Sequence, residues 1–198
     1  MYLKIPEKRR NELKQKNILI LYEDVSSKII TDICDDILEL CSKRRSKRSK
    51  EITLVINSGG GGLGTSLFFA NFLRTLPKNI SVNAVVTGFC ASAAIVLLQC
   101  CKKRLSLPHS LFQIHNPNIT VRSSDDENCD EKIRLTLQGA RQIKEHALQI
   151  ECERTGISRE KWLKLAKEGD LVGSPLITTE IALDLNLIDK VIDTFEIF

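Results

Sequence analysis

The stretch ISVNAVVTGFCASAAIVLL (80–98) predicts a buried strand followed by a buried helix. Residues 80–86 form a short run rich in valine, and the apolar run after Ala91 is typical of a helix inside a core. Ser92 places one small hydroxyl at the head of that helix. The first N–H groups of a helix have no intrahelical partner and carry the positive end of its dipole. The Ser92 hydroxyl is therefore either a cap or a reagent.

Strands and helices alternate along the rest of the chain. Apolar runs typical of strands occupy residues 17–22, 51–57, 103–108 and 111–116. Helical periodicity is found in residues 29–40, 66–76 and 156–169, and residues 178–193 predict a short helix and a last strand. Ser158 is the expected N-cap of the helix in 156–169. This alternation is typical of an α/β domain with parallel strands, whose ligands collect at the carboxyl ends of the strands.

A long amphipathic helix is predicted from about Asp130 to Arg154. Its apolar stripe consists of Ile133, Leu137, Ala140, Ile143, Ala147 and Ile150. At 1.5 Å per residue the helix is roughly 37 Å long, which is more than a domain of this size needs for its own core. We therefore expect it to protrude and to pack against another subunit.

Composition indicates a soluble protein with one core. The chain has 198 residues, of which 42% are hydrophobic and 27% charged, and a net charge of +4. Much of the positive excess lies in SKRRSKRSK (42–50), which has no interleaved aromatic residues and is typical of a solvated helix end rather than a nucleic-acid surface. The acidic run SSDDENCDE (123–131) is interpreted as a solvated loop.

The seven cysteines and the hydropathy pattern bear on the compartment. The cysteine number is odd and no CxxC pair occurs, which favours reduced thiols and no metal site. No apolar stretch reaches the roughly 18 residues of a membrane span. We expect a cytoplasmic protein without a bound cofactor, membrane contact or nucleic-acid partner.

A glycine run and one histidine also follow predicted strands. NSGGGGLG (57–64) can point bare N–H groups at a ligand, but it lacks the lysine of a phosphate-binding loop and the G-x-G-x-x-G spacing of a dinucleotide site. Its many glycines predict a loosely held loop. Among three histidines, His146 falls in the long helix and His109 in a turn, whereas His115 ends a strand, where it is either a general base or a hydrogen-bonding residue.

Three motifs together resemble the ClpP family of self-compartmentalised serine peptidases. INSGGGG (56–62) resembles its glycine loop, GFCASAA (88–94) its nucleophile motif, and LPHSLFQIHNP (107–117) the strand pair that ends in its histidine. The resemblance covers roughly residues 17–193, with the motifs in family order. It implies that Ser92 is the nucleophile, His115 the general base and Asp170 the third triad member, with Glu168 as the substitute for Asp170.

The resemblance also implies how an oxyanion is bound and how the chain is built. The N–H of Ala93 and that of one loop glycine, Gly60, Gly61 or Gly62 with Gly61 preferred, are the expected donors. The fold is expected to be a ClpP/crotonase-like α/β spiral of β-β-α units in one domain, with an N-terminal arm (1–16) and a handle region (117–154).

The expected assembly follows from the same resemblance. It consists of two stacked heptameric rings of this chain that enclose a chamber in which unfolded polypeptides are cleaved. A partner AAA+ unfoldase is expected to supply those polypeptides.

Four alternatives remain open at this point. The first is a structural ClpP-like subunit without activity, and the second is a phage-type maturation protease that needs no ATPase. The third is a crotonase-type acyl-CoA enzyme, which does not need the Ser92–His115 pair. Cys90, two residues before Ser92, offers a thiol nucleophile in place of the serine, although packing is the simpler interpretation.

Overall fold

Strands and helices alternate in the computed structural model, which describes residues 5–42, 50–118, 129–171 and 176–195. The strands are β1 (Ile18–Leu21), β2 (Lys50–Ser58), β3 (Ile80–Ala91), β4 (Arg104–Ser106), β5 (Leu111–Gln113), β6 (Ile177–Thr178) and β7 (Lys190–Val191). The helices are α1 (Glu7–Gln15), α2 (Ser27–Ser42), α3 (Leu63–Thr75), α4 (Ala93–Cys100), α5 (Cys129–Thr155), α6 (Arg159–Gly169) and α7 (Thr179–Asp184). This arrangement confirms the predicted α/β class.

One seven-stranded sheet forms the centre of the fold, with five parallel strands in the order β1-β2-β3-β4-β7 and with β6 paired antiparallel to β5. Its inner strands are buried on both faces, which is why Leu54, Val55 and Ile56 are consecutive apolar residues with no exposed surface. Helix α4 is equally enclosed, because its residues from Ala93 to Gln99 are all buried. The core therefore holds the start of α4, where Ser92 lies, in a fixed position.

β3 is longer than the sequence predicts, and the extra residues position the site. The strand does not end at residue 86 but continues through Gly88 to Ala91. A side chain at position 88 would collide with Asn57, whose Oδ1 lies 2.7 Å from where a Cβ would be and accepts a hydrogen bond from the N–H of Phe89 at 2.8 Å. The middle of β3 pairs in parallel with β4 and its last residues pair in parallel with β5. β5 therefore ends beside Ser92.

The N-terminal segment, predicted as an arm, contains the helix α1, which the sequence does not predict. Its hydrophobic content is low and Leu13 is its one buried residue. Two ion pairs also attach it to α2, because Lys14 Nζ lies 2.7 Å from carboxylate oxygens of both Asp36 and Glu39. An apolar periodicity that rests on one leucine is too weak to predict a helix.

Helix α5 protrudes as predicted. It has 27 residues, and none of its described side chains before Ala147 is fully buried. Leu135 is 53% exposed and Ile143 is 38% exposed. The helix packs against α3 and α4, and its buried residues Ala147 and Leu148 lie in its C-terminal part. Its free part therefore leaves apolar side chains uncovered.

Two charged segments of the sequence lie largely outside the described residues. These are positions 43–49 of the basic run and 123–128 of the acidic run. Within the four described ranges, no helix has the length and apolar character needed to cross a membrane.

Candidate active site

Ser92 lies at the sharp turn between β3 and α4. Its φ of 55° and ψ of −127° form a conformation that residues other than glycine rarely adopt, and its side chain makes no capping hydrogen bond. The turn is held by β5, because the Ser92 N–H donates to the Gln113 carbonyl at 3.0 Å. Strained residues of this kind persist where the surroundings impose them and are concentrated at active sites. Of the two roles open to the hydroxyl, capping is therefore not the one it performs.

The glycine loop is fixed against two other segments. Gly60 accepts a hydrogen bond from the Val25 N–H, and Gly62 donates to the Val25 carbonyl, both at 2.7 Å. The Gly60 N–H donates to Ser58 Oγ at 3.2 Å. The loop is thus held in place, in contrast to the loose loop that its glycines predict.

This pairing distinguishes the Gly61 N–H from its neighbours. Because Gly60 O and Gly62 N both point towards Val25, the N–H between them points away from it, as alternation along an extended strand requires. Among the described residues, the Gly61 N–H has no hydrogen-bond partner. The Ala93 N–H, at the start of α4, likewise precedes the first intrahelical bond. The Gly61 N–H, in the cleft that contains Ser92, and the Ala93 N–H, which directly follows Ser92, are therefore two bare donors.

Gly60 lies directly against Ser92. A Cβ at position 60 would lie 2.6 Å from the Ser92 Cβ and 2.9 Å from the Ala93 nitrogen, and φ at Gly60 is +99°. Only glycine satisfies both the space and the backbone angle at this position. The glycine run is thus required for the loop to approach the serine.

His115 lies two residues after Gln113, whose carbonyl accepts the hydrogen bond from the Ser92 N–H. β5 and β3 are parallel neighbours, so both residues follow the carboxyl ends of their strands and line one cleft. Nδ1 of His115 lies 2.7 Å from the carbonyl oxygen of Asn116. A carbonyl only accepts hydrogen bonds, so this contact assigns the proton to Nδ1 and leaves Nε2 free to accept one.

Asp170 reaches the histidine segment one residue farther on. Its two carboxylate oxygens accept hydrogen bonds from the Asn116 N–H at 2.8 Å and from the Asn116 Nδ2 at 2.6 Å. Lys144 completes the contacts of this asparagine by donating from Nζ to Oδ1 at 2.6 Å. Asn116 therefore joins Asp170, on the end of α6, and Lys144, on α5, to the imidazole of His115.

The cleft that contains Ser92 and His115 has a volume of about 610 Å³. The glycine loop and residues 115–118 form one side. Helices α5 and α6 form the other side with Ala147, Leu148, Glu151, Trp162, Leu163 and Ala166. This side of the cleft is therefore largely apolar, with one amine, Lys144, and one carboxyl group, Glu151.

That carboxyl group has an unusual acidity. Burial raises the pKa of Glu151 to about 8, and an interaction with the side chain of Trp162 opposes the shift. A buried carboxylic acid in the cleft that also contains Ser92 and His115 is the kind of group that takes part in binding or catalysis.

Comparison with known proteins identifies the family. The family model described as Clp protease matches residues 6–195. The chain belongs to the Clp protease family. The resemblance seen in the three sequence motifs is thereby confirmed.

Individual Clp relatives are distant but cover nearly the whole chain. The chain is 27% identical to ATP-dependent Clp protease proteolytic subunit 1 of Streptomyces avermitilis, over 93% of this chain and 79% of the relative. It is 27% identical to proteolytic subunit 2 of Chlamydia trachomatis, over 93% and 84%. A structure of a ClpP1 variant from Listeria monocytogenes is similar in fold, with a TM-score of 0.76 and 22% identity over 93% of this chain and 95% of that one.

The structure brings most of the predicted Clp site residues together. Ser92, His115, Gly60, Gly61 and Gly62 line the same cleft, and Ala93 follows Ser92. Asp170 contacts Asn116 rather than the imidazole. Glu168, its suggested substitute, is exposed, and its carboxylate oxygen Oε1 lies 4.0 Å from Lys164 Nζ. The roles assigned to all of these residues stay predictions.

The sequence did not single out four residues of the site, namely Asn116, Lys144, Glu151 and Trp162. A signal existed for one of them, because Glu151 is four residues after Ala147 and so interrupts the apolar stripe of the long helix. The contacts of Asn116 and Lys144 join segments far apart in the chain and have no local signal.

Cys90 offers little as a nucleophile. It is fully buried, and burial raises the pKa of its thiol well above the ordinary range. The thiolate is the reactive form, so the neutral thiol of Cys90 is consistent with packing.

Proposed function

We propose that the chain is a serine peptidase subunit that cleaves polypeptides through an acyl-enzyme formed on Ser92. The observation that carries the proposal is the shared cleft: a strained serine without a capping role, a histidine with a free Nε2 and two bare N–H donors converge there from three separate segments. The names of the relatives, which are Clp protease proteolytic subunits, support the same class of reaction.

The chemistry assigns one task to each group. Ser92 Oγ attacks the substrate carbonyl carbon while His115 Nε2 accepts the hydroxyl proton. The N–H groups of Ala93 and Gly61 donate to the oxyanion that develops, and one such donor is typically worth about 3 kcal/mol of barrier. The tetrahedral intermediate collapses, the C–N bond breaks and His115 gives its proton to the leaving amine. Water then attacks the acyl-enzyme by the same route, which releases the acid and restores Ser92.

Asp170 serves as a positioning residue in this scheme. Its carboxylate holds the Asn116 backbone, and the Asn116 carbonyl in turn fixes the tautomer and the orientation of the imidazole. The proposal retains the Ser-His-Asp set, with the aspartate acting through one peptide unit rather than touching the ring.

Replacement of Asp170 by alanine is expected to lower kcat about 10- to 100-fold with little change in KM, because the imidazole is misoriented but the substrate cleft is intact. Steady-state kinetics on a fluorogenic peptide measures this split. Asp184→Ala, at an exposed position on α7, is the matched control and should match the wild type. Equal kcat in Asp170→Ala and the wild type would show that the carboxylate has no positioning role.

The assembly we propose is a ring oligomer, of seven subunits per ring, with an AAA+ unfoldase as partner. Support comes from the uncovered apolar side chains of α5 and from the ATP-dependent multisubunit enzymes named among the relatives.

Substitution of Leu135 by arginine is expected to shift the assembly towards smaller species, because a charge replaces a side chain that is 53% exposed in the single chain and apolar. Size-exclusion chromatography with light scattering measures the mass in multiples of 22.3 kDa. Gln138→Arg, on the exposed surface of the same helix, is the control. A wild-type protein that is monomeric at micromolar concentration would contradict the ring proposal.

The experiment that tests the function is covalent capture with a fluorophosphonate probe. We expect one adduct, located on Ser92 by peptide mass spectrometry, and competition by a peptide substrate. An assembled protein that forms no adduct would instead support a structural subunit that cleaves nothing. Hydrolysis of an acyl-CoA without an adduct on Ser92 would support the crotonase-type alternative.

A further inference from the structure

We propose that the cleft selects substrates with lysine or arginine immediately before the scissile bond, and that Glu151 is the residue that selects them. This inference rests on the proposed peptidase function and adds a substrate class to it.

One face of α5 connects the catalytic groups to Glu151. Lys144, Ala147, Leu148 and Glu151 are spaced at i, i+3, i+4 and i+7 and all line the cleft. At the first of these positions, Lys144 contacts the side chain of Asn116, the residue after His115. Seven residues of helix correspond to about 10 Å, so the backbone of Glu151 lies about that far along α5 from the backbone of Lys144.

The wall between the two ends is apolar. Ala147 and Leu148 come from α5, and Leu163 and Ala166 come from α6. Lysine and arginine have long apolar stems with a charge at the tip, which matches an apolar wall that leads to a carboxyl group. A leucine in the same place would cover the wall but leave Glu151 buried without a cation, which is unfavourable for an ionised carboxylate.

The charge state of Glu151 supports the same substrate class. Because burial raises its pKa to about 8, the empty cleft holds a largely neutral acid at pH 7, and the ionised form prevails above pH 8. A bound ammonium or guanidinium favours the ionised form. The preference for a basic side chain over leucine should therefore grow as the pH rises from 7 to 9.

Other titratable groups face the same cleft from each element around it. They are Asp24 before α2, His115 after β5 and Lys144 on α5, while α6 contributes no charged group to the lining. The thiols of Cys100 and Cys152 also interact with the Glu151 carboxyl. All of these groups are present in both the wild type and Glu151→Gln, so the difference between the two proteins in the ratio of two substrates isolates Glu151.

The experiment compares fluorogenic peptides that differ only in the residue before the scissile bond, which is lysine, arginine, leucine or glutamine. In the wild type we expect kcat/KM for lysine and arginine to exceed that for leucine about tenfold at pH 9, and by less at pH 7. The second-order labelling rates of peptidyl phosphonates with lysine or leucine in that position give the same ratio without turnover.

Glu151→Gln is expected to lower kcat/KM for the lysine peptide about tenfold, to leave the leucine peptide within about twofold and to abolish the pH dependence of the ratio. Glu153→Gln, two residues on and exposed, is the matched control and should keep the wild-type ratio. If Glu151→Gln does not fold, Glu151→Met, which keeps the length of the side chain in an apolar setting, replaces it.

Two results would overturn the inference. One is a wild type that cleaves after leucine or glutamine as fast as after lysine at pH 9, and the other is a Glu151→Gln variant with the wild-type ratio. In both cases a fluorophosphonate adduct on Ser92 would still support the peptidase function. A protein that neither forms the adduct nor cleaves any peptide would overturn the function and the selection together.

Discussion

Replacement of Ser92 by alanine should reduce kcat for peptide hydrolysis about ten-thousand-fold or more, since Ser92 carries the one hydroxyl among the described residues that line the cleft and none of them is a cysteine. Removal of a nucleophile of this kind leaves only the contribution of the oxyanion donors and of substrate binding. The fluorophosphonate adduct should disappear in the same variant. Substrate affinity should change little, because the Gly61 and Ala93 donors and the walls of the cleft are intact.

The strained backbone at Ser92 permits a sharper design. Ser92→Gly also lacks the hydroxyl, but glycine adopts a φ of 55° without strain, so this variant should be inactive and about 1 kcal/mol more stable than Ser92→Ala. Ser42→Ala, at the exposed end of α2, controls for the loss of a hydroxyl elsewhere. Residual hydrolysis by Ser92→Ala within about tenfold of the wild type would assign the nucleophile to another group.

The sequence predicted the parts of the fold that depend on local patterns. β2 and α4 were predicted from their apolar runs, which such fully buried elements require. The Ser158 cap of α6 was predicted from residue type, and in the structure Ser158 Oγ accepts a hydrogen bond from the Lys161 N–H at 3.3 Å. The end of β3 was missed because Thr87 and Gly88 have the composition of a turn. The structure continues the strand there because Asn57 Oδ1, on β2, accepts a hydrogen bond from the Phe89 N–H.

The site shows the same division between local and distant causes. Ser92 and His115 were predicted to converge because parallel strands end at one edge of a sheet. The contact between Asp170 and Asn116 depends on how α6 approaches β5, across 54 residues of sequence, and no local pattern encodes it. Glu151 was missed because a charged residue on a long helix usually faces solvent, whereas here α6 covers it with Trp162.

That approach of α6 depends on one small residue, Gly169. A Cβ at this position would lie 1.9 Å from the Ile114 carbonyl oxygen, which is backbone and cannot rotate away. The Gly169 carbonyl also accepts a hydrogen bond from Gln113 Nε2 at 3.2 Å. Glycine is therefore what lets the end of α6 touch the strand end that carries His115, and it is required for Asp170 to reach Asn116.

Gly169→Ala should consequently destabilise the protein by about 2–4 kcal/mol and lower kcat about 100-fold, because α6 must move by an ångström or more and the histidine segment loses its support. Urea unfolding and peptide kinetics measure the two effects. Gly139→Ala is the matched control, since a Cβ at this helical position meets no atom within 4 Å and should stabilise α5 by about 0.5–1 kcal/mol. If Gly169→Ala were as stable and as active as the wild type, the contact between α6 and β5 could not be what aligns His115.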